Sequence, residues 1–408
     1  MKVLRYAFLF VALGVSSNAA DSLSDAIMGG KASGVFRSYY FNQEVGGDRA
    51  NILDFSLRLN YATDSYYGFK ATVTFQGVST PFADDNAKNF GAFRAVNGVY
   101  GPGAVMSEAY LSYIFNKTTI KVGRQFINIP LVGSGMGKPI VQSFEGAAIK
   151  SDELNSTGTT LYAAYIDKYQ FQTGKNGNPP KFFNLADSNH AIYSANAKEG
   201  YAVGVKNNYF KGLDLTAAYG LVADDFDIFY TEAKYKNSIG DIGVRYNLAG
   251  QLSGTTYDNS AKDSALFYGL KLGFGHNGFD IYGAFAQVKG GDAQFGVAGG
   301  FNKCVLFTAS YEACALYNES NQYAFGASYN LNSLFDVGSL KIGAVYSDMD
   351  FKQNKEEIKW TDIYAEFAPQ NIANGIFKNI FMRASYEKED HKLGNDADIF
   401  IFRFDYLF

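Results

Sequence analysis

The sequence predicts an all-β chain, a transmembrane antiparallel β-barrel of eighteen strands with an inward-folded constriction loop. Three observations predict it. Apolar and polar residues alternate with period 2 along segment after segment, which puts one set of side chains on each face of a strand. Connections between these segments run alternately short and long. The chain ends on "IFIFRFDYLF", residues 399–408, an aromatic strand where a soluble protein carries a frayed, polar tail.

Composition narrows the choice. Of 408 residues 47% are hydrophobic, with 30 Tyr and 36 Phe against one Trp, yet mean hydropathy is only -0.13. No internal apolar run approaches the ~18–20 residues of a membrane helix, so any crossing falls to strands. The opening "MKVLRYAFLFVALGVSSNAA" has Lys2 and Arg5, an apolar stretch over residues 6–15, then small residues. It is expected to be a signal peptide over residues 1–20, leaving a barrel domain over 21–408. Its removal moves the net charge from -4 to -6. An acidic balance argues against nucleic acid as a partner.

In chain order the strands are expected near 33–42, 52–61, 67–76, 107–115, 118–126, 143–151, 158–167, 201–209 and 213–222. The second half continues near 225–236, 239–249, 264–274, 278–288, 321–330, 337–347, 357–367, 377–387 and 396–408. "ILDFSLRLNY" puts Leu53, Phe55, Leu57, Leu59 and Tyr61 on one face and Asp54, Ser56, Arg58 and Asn60 on the other. "GFKATVTFQ", "IGDIGVRYNL" and "LFYGLKLGF" repeat the pattern. "DFDIFYTEAKYK" and "EIKWTDIYAEF" fit either register. Arg124 in "TIKVGRQF" shares parity with apolar Ile120 and Val122. A bulge at Gly123 or a position above the membrane would each accommodate it.

Connections near 62–66, 116–117, 152–157, 210–212, 237–238 and 275–277 are short, and those near 77–106, 127–142, 168–200, 250–263 and 289–320 are long. Bacterial outer-membrane barrels have this asymmetry, so outer-membrane lipid is the expected surrounding. Lipid cannot satisfy backbone groups, so the sheet must close and the last strand must pair with the first. Phe400, Phe402, Phe404, Tyr406 and Phe408 then face lipid, while Ile401, Arg403, Asp405 and Leu407 face the lumen.

An eighteen-stranded barrel is wide enough for an aqueous channel. The connection "INIPLVGSGMGKPIVQ", residues 127–142, is rich in Gly and apolar residues and has one charge, Lys138. It is expected to fold inward, the other reading being a loop packed on the rim. Arg37, Arg58, Arg383 and Arg403 fall on the first, second, seventeenth and eighteenth strands, which are contiguous after closure. Such a row attracts anions and orients carboxylates, as a diffusion channel for small hydrophilic solutes would. The structural alternative is that Arg–Asp pairs with Asp405 and Asp54 hold strand register. Lys70, Lys121, Lys206, Lys271 and Lys341 add inward cations, and Asp54, Asp241, Asp405 and Glu108 inward acids.

Loop acids in "PFADDNAKN", "VADDFDIF", "YSDMDFKQN" and "EKEDHKLGNDADI" admit a Ca²⁺ at the outer rim or simply a solvated rim. No other metal or cofactor is expected. Cys304 and Cys314 are expected to form a local disulfide in an exported chain. His190, His276 and His391 fall in connections and build no Ser/His/acid set, so an enzyme is not expected. The competing function is a plugged barrel serving as a structural or adhesive surface protein, for which the long connections 168–200 and 289–320 speak.

Residues 122–154, "VGRQFINIPLVGSGMGKPIVQSFEGAAIKSDEL", with residues 23–41 and the C-terminal strand, resemble the OprD-type outer-membrane porins and the related major porins of epsilonproteobacteria. Matching positions are Gly123, Arg124, Gln125, Pro130, Pro139, Ser143, Phe144, Glu145 and Gly146. The resemblance implies eighteen strands, an inward third loop with Pro130, Lys138 and Glu145 at the constriction, and a basic wall that guides carboxylates. It also admits a homotrimer. Family loops often carry Asp-x-Arg where this chain reads Gly-Met-Gly-Lys, which sets Lys138 in place of the Arg and removes the Asp.

Overall fold

The structure, a computed structural model, describes residues 20–88, 102–135, 137–172, 181–186, 196–299, 306–310, 318–333, 338–369 and 379–408. The expected signal peptide lies outside the described residues except for Ala20, and Cys304, Cys314 and His190 lie outside them too.

Eighteen strands form the wall. They are β1 (Lys31–Val45), β2 (Asp48–Ala62), β3 (Phe69–Ala83), β4 (Gly103–Phe115), β5 (Thr118–Gln125) and β6 (Ser143–Ser151). Next come β7 (Thr159–Gln170), β8 (Gly200–Asn207), β9 (Leu213–Val222), β10 (Phe226–Ile239), β11 (Val244–Tyr257) and β12 (Ala265–His276). The last are β13 (Phe279–Gly290), β14 (Ser320–Asn330), β15 (Gly338–Phe351), β16 (Glu357–Pro369), β17 (Ile380–His391) and β18 (Ala397–Leu407). Each pairs antiparallel with its sequence neighbours, and β1 pairs with β18 from Val35↔Leu407 to Val45↔Ala397. The sheet therefore closes with no free edge. No described helix is long and apolar enough to cross a membrane, so strands make the crossing.

Parity decides solvent as the alternation requires. On β2, Asp54 and Ser56 are buried while Phe55, Leu57 and Leu59 are exposed. On β18, Ile401 and Asp405 are buried while Phe400, Phe402 and Tyr406 are exposed. "Buried" here means turned inward, and "exposed" apolar side chains form the outer band that lipid covers.

Three differences from the sequence reading have physical causes. First, β1 and β2 run on to a two-residue turn, Gly46–Gly47, with φ +59° and +93°, where the alternation placed a nine-residue connection. Above a bilayer both strand faces meet water, so hydropathy stops marking the strand. Second, the long-loop side is not uniformly long, because residues 223–225 also make a tight turn there. Third, β3 continues past Gln76 to Ala83, and the β2–β3 register slips between Leu53 and Phe55. Pro81 sits in that slip, where a residue without an N–H is tolerated.

A short helix, Leu23–Met28, precedes β1. The Ser22 hydroxyl caps it by accepting the Asp25 N–H. The helix docks at the short-turn rim, where the Asp64 N–H donates to the Ala26 carbonyl at 2.9 Å.

Candidate functional site

The connection after β5 enters the lumen. Ile127 and Ser134 exchange hydrogen bonds, Ile127 N–H to the Ser134 hydroxyl at 3.1 Å and Ser134 N–H to the Ile127 carbonyl at 2.8 Å. Between them Asn128–Ile129 pairs with Val132–Gly133 as a small hairpin. Pro130 leads its turn, and Leu131 takes a left-handed backbone, φ +71°. That conformation costs a branched residue about 1–2 kcal/mol. Leu131 is fully buried, which returns about 1.5–3 kcal/mol.

The wall that receives the hairpin is built of small residues. Ala202, Gly204, Ala218 and Gly220 face inward on β8 and β9. A Cβ on Gly220 would lie 2.6 Å from Val297 and 3.2 Å from Leu131, and one on Gly204 would lie 3.5 Å from Pro130. The alternation on "AVGVKN" and "TAAYGL" was legible, and the small inward residues were the unread signal that something docks there.

A second segment holds the first. After β13 the chain turns inward, Ala298–Gly299 pairs parallel with Val132–Gly133, and the Val297 N–H donates to the Leu131 carbonyl at 2.8 Å. Farther along, Phe307 packs with Ala249, Ala284 and Ala324 of the wall. The Thr308 hydroxyl donates to Gln322 and the Ser310 hydroxyl to Glu387, each at 2.8 Å. The sequence reading put 289–320 outside as a surface loop. Its described parts, 291–299 and 306–310, lie inside, because their apolar residues cover inward-facing Ala and aromatic positions of β11 to β16.

The other arm of the first loop crosses to β1. Gln76 on β3 clamps it with two bonds to the Val141 backbone, both 2.9 Å. Lys138 Nζ sits 3.3 Å from the Tyr39 hydroxyl and 5.7 Å above the rings of Tyr39 and of Phe41. Its carbonyl accepts a hydrogen bond from Arg37. Pro130 and Lys138 thus touch opposite walls.

Glu145 is a correction. It stands on β6, on the face of exposed Ile149, and not in the loop. Arg124 reaches it at 2.9 Å and Lys168 at 3.3 Å, and the Arg124 guanidinium lies 4.3 Å from the Phe182 ring. Parity runs straight through Gly123, so Arg124 does face outward. Its charge is met by Glu145 at the long-loop end of the strands.

All four sequence-predicted arginines come together on the inner face of β17, β18, β1 and β2. Arg383 is opposite Arg403, Arg37 is opposite Asp405, and Arg58 is opposite Val35. Asp405 is shared. Arg37 donates to it at 2.6 and 2.9 Å, and Arg403 Nε at 2.9 Å. Arg37, Arg58 and Arg403 line a cavity of about 310 Å³ together with Phe381. The Arg58 guanidinium lies 5.9 Å from the Phe126 ring at the loop's start. Asp54 does not serve as the register partner foreseen for Arg58, since Thr80 bonds it at 2.5 Å.

Acids stand on the loop side of this row. Asp362 and Glu387 are opposite each other, fully buried, and Glu389 follows. The sequence missed them because "EIKWTDIYAEF" fits both registers. His391 closes β17 and contacts Glu389 at 3.2 Å, and His276 closes β12, so both lie at strand ends and not in connections. Among the described residues no cluster of three or more His, Cys, Asp or Glu is arranged to hold a metal ion.

The profile of the outer membrane porin, OprD family, matches residues 111–386, more than half of the chain. The chain belongs to the OprD family of outer-membrane porins. It is accordingly a bacterial outer-membrane protein. This porin is similar in fold to Pseudomonas aeruginosa OpdO at 15% identity, TM-score 0.76, covering 94% of this chain and 98% of that one. Acinetobacter baumannii OccAB1 matches at 14% identity and TM-score 0.77 over 96% and 99%. Pseudomonas aeruginosa OpdK with vanillate matches at 14% and 0.75 over 94% and 99%. No curated protein matches the porin by sequence.

Proposed function

We propose that the porin passes small hydrophilic solutes by passive diffusion and favours anions that carry a carboxylate. The observation that carries this reading is the guanidinium row of Arg58, Arg37, Arg403 and Arg383 on one wall, with the constriction loop bonded to it through Arg37. Asp405 is shared by Arg37 and Arg403, and Glu366 stands in register with Arg383, so two acids face four guanidiniums and the row keeps an excess of positive charge. A guanidinium matches a carboxylate fork, and fixed cations in a narrow lumen draw anions in. A structure of similar fold is of OpdK with vanillate, which is a carboxylate.

The test is the reversal potential of single channels in a salt gradient. Replacing Arg58, Arg383 and Arg403 with Gln should move it toward cation selectivity. An unmoved potential refutes the role of the row. Liposome swelling with sugars separates a pore from the plugged surface protein, because a plugged barrel admits none.

A further inference from the structure

A second cationic chamber lies apart from the arginine row, on the wall made by β10 to β16. Its volume is about 530 Å³, and it is lined by Lys234, Lys271, Lys341, Tyr282, Tyr364 and Phe307, among others. Glu366, in register between Lys341 and Arg383, separates it from the arginines.

Three features of the chamber ask for a ligand. Lys271 stands between Ala249 and Ala284 in the sheet, with its ammonium 3.5 Å from the Tyr282 ring centre. Lys341 lies 5.7 Å above Tyr364. Among the described residues neither lysine enters an ion pair, whereas Lys234 is met by Glu232 at 2.7 Å. A half-buried ammonium that meets an aromatic face but no carboxylate is under-neutralised. Phe307 clusters with Ala249 and Ala284, the two register neighbours of Lys271, so an apolar side chain lines the chamber beside its cations.

Head and body chemistry follow from this. An ammonium is a compact point charge that meets a phosphate from any direction, whereas a guanidinium grips carboxylate or phosphate only along its planar two-pronged fork. Two unpaired lysines match a doubly charged head. Phe307 and Tyr282 offer flat surfaces for an aromatic body.

We propose that Lys271, Lys341, Tyr282 and Phe307 form a binding station for small organic phosphates that carry an aromatic ring. The dianionic head lies on the lysines and the ring lies against Phe307. The station rests on the reading of the barrel as an anion-admitting pore, and it adds a ligand class and a second location to that reading.

The probe is phenyl phosphate, with benzoate and inorganic phosphate for comparison. Binding is measured by calorimetry on the full-length detergent-solubilised porin, and current blocks are counted in planar bilayers. Phenyl phosphate should bind more tightly than either comparison anion. The double variant Lys271→Gln, Lys341→Gln should weaken it about tenfold or more, the size of one lost charge-assisted contact. Phe307→Ala should weaken phenyl phosphate and leave inorganic phosphate unchanged. Equal affinity in the wild type and the lysine double variant overturns the station, as does loss of binding in Arg403→Gln alone. Retained binding with no conductance overturns the pore reading and leaves the station standing. Folding of each variant is checked by heat-modified mobility. A misfolded double variant is replaced by the two single lysine variants, to which the same criteria apply.

Discussion

Arg37 on the first strand and Asp405 on the last face each other in register and meet in a two-pronged pair, Nε to Oδ1 at 2.6 Å and Nη2 to Oδ2 at 2.9 Å. The pair sits on the seam where the cylinder closes. Both side chains are nearly inaccessible, 6% and 5% exposed. Arg37 is therefore part of the scaffold that holds the seam, and the proposed attraction of anions falls chiefly to Arg58, Arg383 and Arg403.

Removing the seam acid should be costly. Asp405→Asn leaves a buried and a half-buried guanidinium without their shared anion, and breaking a buried pair costs about 3–5 kcal/mol. The urea midpoint of the refolded barrel should fall accordingly. In a double-mutant cycle, Arg37→Gln should cost less in the Asp405→Asn background than alone. Strict additivity would mean that the pair contributes nothing.

The loop clamp gives a second expectation. Gln76→Leu strands the Val141 N–H in a dry site, at about 1–3 kcal/mol for the group left unsatisfied. Gln170 still reaches the Val141 carbonyl at 3.2 Å, so the loop should loosen without leaving the lumen. Single channels should become noisier, with a larger mean conductance and little change in folding. A current trace like that of the wild type would show that the clamp does not hold the constriction.

Parity gives a third. Leu270, in the middle of β12, faces outward and is 58% exposed, so Leu270→Arg places a charge in lipid. A loss of about 2–4 kcal/mol is expected near the bilayer midplane. It is measured as reduced folding efficiency into vesicles. Folding as efficient as that of the wild type would put this face of β12 in water.

Much of this was readable from residues alone, and for one reason. Where one strand face meets lipid and the other meets water, alternation carries the orientation, as in Leu53 to Tyr61 and Ile399 to Leu407. That contrast gave the strand number, the seam and the four clustered arginines. It fades wherever both faces meet the same surroundings. The Val45–Asp48 turn stands beyond the membrane, and β16 carries Trp360 and Asp362 on its buried face because an inward segment covers them. Glu145 was misplaced because its strand, expected over 143–151, was given no parity, so a residue on the outward face was grouped with the constriction. The second inward segment left only an indirect trace, the small residues Ala249, Ala284 and Ala324 on which Phe307 rests.

The bond from Arg37 to the Lys138 carbonyl ties two events in the life of the chain. Arg37 is aimed by Asp405, which arrives with β18. Until that strand zips onto the first, the guanidinium has no fixed direction and this anchor of the eyelet is missing. Closing the cylinder thus also sets one anchor of the loop, beside those that Gln76 and Val297 supply.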